Sequence, residues 1–178
     1  GEISAHGVGV AGSVSKAGQG TAMSGSLAGS IGVNAILVDT QARARAASSL
    51  SATDAGEAGV LVSAKDSSTI LAVGGVGNLS IAVSQKNAVS AGLGVSVSVN
   101  EITSNVEASI VDTPVVSAAD VTVSAESESD IDSRAHGVAL GVSISNNAQS
   151  ISANATGAMS FNEIDSGVVA RIADSEAI

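Results

Sequence analysis

The stretch Leu93-Gly-Val-Ser-Val-Ser-Val-Asn100 decides the fold, because large and small side chains alternate along it with a period of two. Successive side chains of a β-strand point to opposite faces, so the stretch predicts a strand with one Leu/Val face and one Gly/Ser face. The same alternation runs through residues 121–126, 136–145 and 151–161. Residues on the second face are small rather than charged, which predicts that further sheet can cover both faces.

Composition indicates a thin core. Of 178 residues, 31 are Ala, 31 are Ser and 20 are Gly, and Phe161 is the one aromatic residue. Hydrophobic residues reach 44%, which is too apolar for a solvated disordered chain. With so few large side chains, the layers must pack closely, as in stacked sheets or a solenoid whose coils contact only their neighbours.

Charge and cysteine content exclude several classes of protein. There is no cysteine, so a disulfide scaffold, a cysteine nucleophile and a zinc finger are excluded. Seven basic residues face 17 acidic ones, and no aromatic surface is available for stacking bases, which argues against a nucleic-acid partner. Apolar runs long enough to span a bilayer are missing from the sequence, so no membrane insertion is predicted.

An internal repeat organises the chain. Its approximate copies cover residues 1–68, 69–130 and 131–178, and the last copy is incomplete, as in a window cut from a longer array. Asn34, Asn100 and Asn162 recur 66 and 62 positions apart. Each copy is expected to hold two long strands, joined by turns near residues 15–20, 84–88 and 145–149, and then two shorter strands.

The repeat predicts an all-β fold, an elongated repetitive β-solenoid. A stack of long antiparallel hairpins is the alternative, and the sequence does not separate the two. A helix over residues 40–58 competes locally, although Gln41-Ala-Arg-Ala-Arg-Ala46 alternates by two and favours a strand.

Recurring polar residues are interpreted as structural. Asn34, Asn100 and Asn162 are predicted to be corner residues at strand ends, because Asn tolerates the left-handed conformation and stacked Asn side chains can form hydrogen-bonded ladders. His6 and His136 each precede a Gly-Val pair and are predicted to have a structural role at a strand start.

Four carboxylates form the one candidate metal site: Glu126, Glu128, Asp130 and Asp132. On a strand they share one face, about 6.7 Å apart, and calcium prefers several oxygen ligands. The competing interpretation is a solvated outer face. Lys65, Ser67 and Thr69 occupy the same register in the preceding copy, so the cluster is not part of the repeat. Calcium is the only cofactor that the sequence suggests.

No enzyme is predicted. Pairs of carboxylates such as Glu163 and Asp165 arise by chance among 17 acidic residues, so they are no evidence for acid–base catalysis.

Two strings, Gly94-Val-Ser-Val-Ser-Val-Asn-Glu-Ile102 and Ala119-Asp-Val-Thr-Val-Ser-Ala125, resemble the repeats of giant secreted bacterial proteins. These are the filamentous-haemagglutinin-like and leukotoxin-like adhesins, also described as β-strand-repeat proteins. The resemblance implies an extracellular or cell-surface location and a structural role in a filament, fibre or adhesin. Its expected partners are neighbouring repeats or further copies, end to end. The alternative is an adhesin stalk or passenger segment whose loops, such as residues 48–59, bind host or cell-surface glycans or receptors.

Overall fold

A computed structural model describes residues 1–47, 49–53 and 59–176, and this part of the chain contains strands and no helix. Large and small side chains alternate along these stretches without interruption, a pattern that suits long pleated strands. The strands are β1 (Glu2–Ala17), β2 (Ala22–Arg45), β3 (Leu50–Ala52), β4 (Val60–Ser84), β5 (Ala88–Val111), β6 (Val115–Ser117), β7 (Val121–Ser145) and β8 (Ser150–Ala173).

The strands form three coils of a parallel β-solenoid. One sheet has the order β1-β4-β7, a second has β2-β5-β8, and the short strands β3 and β6 pair at one end. Every pairing is parallel and in register over the paired residues. The predicted all-β solenoid is therefore confirmed, and parallel pairing rules out the antiparallel hairpin stack for the described strands.

The coils and the predicted repeat copies divide the chain at different points of one register. β4 and β7 begin at Val60 and Val121, about ten residues before the copy starts at 69 and 131, while Thr69 pairs with Glu2 of the first coil and with Asp130 of the third. The two shorter strands expected in each copy are instead the ends of the long ones, because their alternation keeps the phase of the long strand. The long strands of the second coil have 25 and 24 residues, or roughly 80 Å each at about 3.3 Å per residue.

Within residues 40–58, where a helix is the alternative to a strand, residues 40–45 and 50–52 belong to the sheets. Thr40–Arg45 ends β2 and pairs with β5, and Leu50–Ala52 is β3. Position 48 and residues 54–58 lie outside the described part of the chain.

The two long sheets face each other, and their interior changes along the strands. We call residues 5–17, 22–34, 72–84, 88–100, 133–145 and 150–162 the turn half, because they adjoin the turns between the long strands. The remaining parts of the long strands form the corner half. The interior of the corner half holds large apolar side chains that are fully buried, as at Ile70, Ile102, Val106 and Ile110. It also holds the buried Asp66, whose carboxylate accepts hydrogen bonds from Ser68 and Ser104.

Small and polar side chains fill the interior of the turn half. Ser80, Ser90 and Ser96 are fully buried there. Glycines lie where the opposing side chain needs the space: a Cβ on Gly92 would lie 2.6 Å from the Oδ1 atoms of Asn78 and Asn154. The sheets therefore approach so closely that large side chains have room only on the outside.

Candidate assembly interfaces

The three repeated asparagines form a ladder inside the solenoid. Asn34, Asn100 and Asn162 occupy equivalent positions in β2, β5 and β8. Nδ2 of Asn34 donates to Oδ1 of Asn100 at 2.8 Å, and Nδ2 of Asn100 donates to Oδ1 of Asn162 at 2.8 Å. Asn100 is only 1% exposed. The three residues therefore join the coils along the stacking direction.

The predicted corner role of these asparagines was wrong. All three lie within long strands rather than at strand ends, and the alternation of the chain simply continues past them. The corners with a left-handed backbone are Ala46, Asp112 and Asp174, with φ near 50° in each case. Each of these follows the last residue of β2, β5 or β8. Two of the three are aspartates, a residue that tolerates this conformation, which was the signal in the sequence.

The Asn ladder has a direction. Each donated hydrogen bond runs from the first coil towards the third. Within the described residues, Nδ2 of Asn162 has no acceptor, so it presents a donor at the outer edge of the third coil. Oδ1 of Asn34 receives no hydrogen bond in the same part of the chain, so it presents an acceptor at the outer edge of the first coil. The two ends are chemically complementary.

Backbone groups are unpaired at the same two edges. β1 and β2 are the first strands of their sheets, and β7 and β8 are the last. A strand at the edge of a sheet offers a row of N–H and C=O groups to another strand. In the described structure, each end of the stack therefore carries two long strand edges with no partner strand.

The four acidic residues proposed for calcium lie on the outer face of β7. Lys65 of the neighbouring strand forms ion pairs with Glu126 at 3.3 Å and Glu128 at 3.2 Å, and Arg134 pairs with Asp132 at 2.9 Å. Hydrogen bonds that Lys65 donates to the two glutamates raise its pKa, most strongly the one to Glu128. In the described residues no group of three or more His, Cys, Asp or Glu side chains could hold a metal ion. Calcium thus gains no support from this geometry.

A second set of ion pairs joins all three coils across the outer face of the other sheet. Glu107 of β5 pairs with Arg43 of β2 and, at 3.1 Å, with Arg171 of β8. The hydrogen bond from Arg43 is the main cause that lowers the pKa of Glu107. Nothing in the sequence pattern indicates this cluster, because its members are 64 residues apart and become neighbours only through the register of the coils.

The two histidines do not share a position in the stack. His6 pairs with Val73 in β4, whereas His136 pairs with Gly75. Their similar Gly-Val context therefore reflects the abundance of that dipeptide. The segment of residues 48–59, named above as a possible ligand-binding loop, contains β3, and half of its residues (48 and 54–58) lie outside the described part of the chain.

Comparison with known proteins supplies no identity. No family model matches the chain, and no curated protein and no solved structure matches it. The described residues contain no helix that is long and apolar enough to cross a membrane.

Proposed function

We propose that this segment is a structural module of an extracellular bacterial filament, fibre or adhesin, which associates end to end through continued β-pairing. The role is mechanical and needs no catalytic residue. The extracellular and bacterial setting rests on the resemblance of the repeats to secreted adhesins.

The directional Asn ladder is the observation that carries this proposal. A second copy, or a further repeat, placed on the third coil would bring its own Asn34 acceptor opposite the free donor of Asn162. β8 and β2 both have 24 residues, so the same register that joins β2 to β5 can join β8 to the next β2. Such a contact uses different surfaces on the two partners, so it repeats without closing and produces a filament.

Electron microscopy of the purified segment over a range of concentrations tests the proposal. We expect filaments whose axial repeat matches the strand spacing of about 4.8 Å. Asn162→Ala removes the terminal donor and should raise the concentration needed for filaments. Asn105→Ala, an exposed position on the outer face of β5, is the matched control and should leave assembly unchanged. Short monodisperse particles at every concentration would contradict end-to-end association.

A stalk or passenger segment that presents a binding loop is the second candidate. The connection between β3 and β4 has four more residues than the connection between β6 and β7. Deleting residues 54–57 would give the two connections the same length. Loss of glycan or receptor binding with assembly intact would favour this candidate, and unchanged binding would count against it.

A further inference from the structure

The turn half is inverted relative to an ordinary sheet packing, since its large apolar side chains point outwards. On the β2-β5-β8 sheet, Leu27, Ile31 and Val33 are 75%, 79% and 71% exposed. Leu93, Val95 and Phe161 lie beside them on β5 and β8 and are each at least half exposed. We call this surface of residues 23–33, 89–99 and 151–161 the apolar face.

Charge is absent from the same surface. None of the 17 Asp and Glu residues of the chain falls in the turn half, so the whole negative charge lies in the corner half, the corners and the loops. Solvent-exposed strand faces usually carry charges that prevent association. The apolar face has none of them, although the chain as a whole carries a formal net charge of −10.

The relief of the apolar face along β2 suits a second copy of itself, whereas the outward residues of β5 include no glycine. Along β2, outward positions alternate between large and absent side chains: Met23, Gly25, Leu27, Gly29 and Ile31. Two such rows interdigitate when one is displaced by two residues, so that Leu27 of each copy lies over Gly29 of the other. Alternating large and small residues across facing positions is how packed sheet layers fill space.

We propose that the apolar face pairs with the apolar face of a second copy, related by a two-fold axis along the direction of coil stacking. In this arrangement the strands of the two copies run antiparallel across the interface. The turn halves overlap, and the acidic corner halves project to opposite sides, where their charges do not oppose each other. Because the axis runs along the stack, both copies add coils in the same direction.

Area sets the strength of this contact. Ten residue steps along three strands give a footprint of roughly 33 by 14 Å, or about 500 Å² per copy, against about 800 Å² in a standard stable interface. Three coils should therefore form a weak dimer, and each further coil in register adds about 160 Å² per copy.

The other occupant of an apolar surface would be the hydrocarbon of a lipid bilayer. Insertion would bury the unpaired backbone edges of the outer coils and the polar turn that contains Gln85 and Asn87, which is unfavourable in hydrocarbon.

Sedimentation equilibrium with interference optics tests the pairing, since the chain has no Trp or Tyr for detection by absorbance. The variant Leu27→Thr/Ile31→Thr/Leu93→Thr removes the apolar centre of the face and places at each position a β-branched residue that suits a strand. Its dimer dissociation constant should rise at least tenfold. The matched control Val10→Thr/Leu79→Thr/Leu140→Thr changes the opposite sheet and should leave the dimer unchanged.

Two further measurements keep the result independent of folding and of axial assembly. Leu27→Cys should be cross-linked to a dimer by a short bismaleimide, and Leu140→Cys on the opposite sheet should not. If filaments form, the unaltered chain should give paired filaments and the Thr variant single ones. A segment that stays monomeric up to its solubility limit, or a dimer that survives the Thr variant, would overturn the proposal. Binding to phosphatidylcholine vesicles in place of dimerisation would also overturn it.

Discussion

Small interior residues set how closely the two sheets approach. Gly9 of β1 faces the backbone of β2, and a Cβ built on it would overlap the carbonyl oxygen of Gly29. Gly7, two residues earlier on the same strand, has nothing within 4 Å of such a Cβ. Both glycines point inwards. Comparing an alanine at each position therefore separates the steric effect of the added methyl group from the change in backbone freedom.

We expect Gly9→Ala to destabilise the segment by about 1–3 kcal/mol, since backbone atoms must shift to admit one methyl group. Gly7→Ala is the control and should be neutral or slightly stabilising, because Ala has less freedom to lose on folding. Thermal unfolding followed by far-ultraviolet circular dichroism measures both. Equal stability of the two variants would show that the sheets are farther apart at Gly9 than described.

The corner after β2 carries a local strain that the other corners avoid. Ala46 has φ of 51°, the left-handed region, while the equivalent residues Asp112 and Asp174 are of a type that tolerates it. We expect Ala46→Asn to stabilise the segment by about 0.5–1 kcal/mol, part of the cost of about 1–2 kcal/mol that an ordinary residue incurs there. Asp112→Asn should change little. A lower melting temperature for Ala46→Asn would contradict the assigned corner.

At the scale of the strand, ion pairs add a pH dependence to coil stacking. The carboxylate of Glu107 has a pKa lowered mainly by the hydrogen bond from Arg43. A group with a lower pKa in the folded state contributes stability above its unfolded pKa, and this contribution is lost as the pH falls through the folded pKa. The contribution of this group should therefore be present at neutral pH and disappear in acid.

Melting temperature as a function of pH, for the unaltered chain and for Glu107→Gln, isolates that contribution. The difference between the two should be positive at pH 7 and shrink towards zero as the pH falls below the folded pKa of Glu107. Added salt should reduce it, because the pairs are partly solvated. Glu101→Gln removes a carboxylate that forms no ion pair among the described residues and serves as control. A difference that persists unchanged in acid would contradict the role of the ion pairs.

The alternation of large and small side chains made the strands predictable. The repeated asparagines made the pairing register between coils predictable. The 66- and 62-residue spacing of Asn34, Asn100 and Asn162 is the pairing observed between β2, β5 and β8. Aligning the Gly-Val pairs at Gly7, Gly75 and Gly137 would give a wrong register, because Gly75 pairs with Val8 and with His136. Repeated small residues fit many registers almost equally well, whereas a hydrogen-bonded side chain fits one.

The sequence could not show which face of each strand points inwards. An apolar face normally packs inside, yet Leu27 and Ile31 are outside and Ser90 and Ser96 are inside. The deciding factor is the narrow gap between two sheets that meet over glycines, and that distance depends on both strands at once. The ion pairs of Glu107 could not be predicted either, because they too depend on residues that are distant in sequence and lie in the two other coils.

At the scale of the molecule, the residues that are fully buried from solvent are concentrated in the second coil. Its interior residues Ile70, Ile102, Val106 and Ile110 have no exposed surface, whereas every residue of β8 except the last is exposed. The total accessible surface is 9905 Å², against about 7,700 Å² for a compact monomer of this mass. The excess reflects a thin, broad stack whose end coils and outer faces are uncovered in this chain.

Hydrogen exchange followed by mass spectrometry should show this gradient. We expect the slowest exchange in β4 and β5, which have a partner strand on both sides, and faster exchange in β8. Assembly should slow exchange in β8 with little change in β5. Uniform exchange across the three coils would mean that they unfold as one unit rather than from the ends.

The great length of the strands determines how economically such a chain gains height. Each coil uses 61–67 residues but raises the stack by only about 4.8 Å, so a thousand residues would extend the stack by roughly 75 Å, less than the breadth of one coil. A protein that must span a long distance with few residues would have narrow coils. Here most residues extend the width of each coil, so a long array of such coils forms a broad ribbon or plate, not a narrow tether.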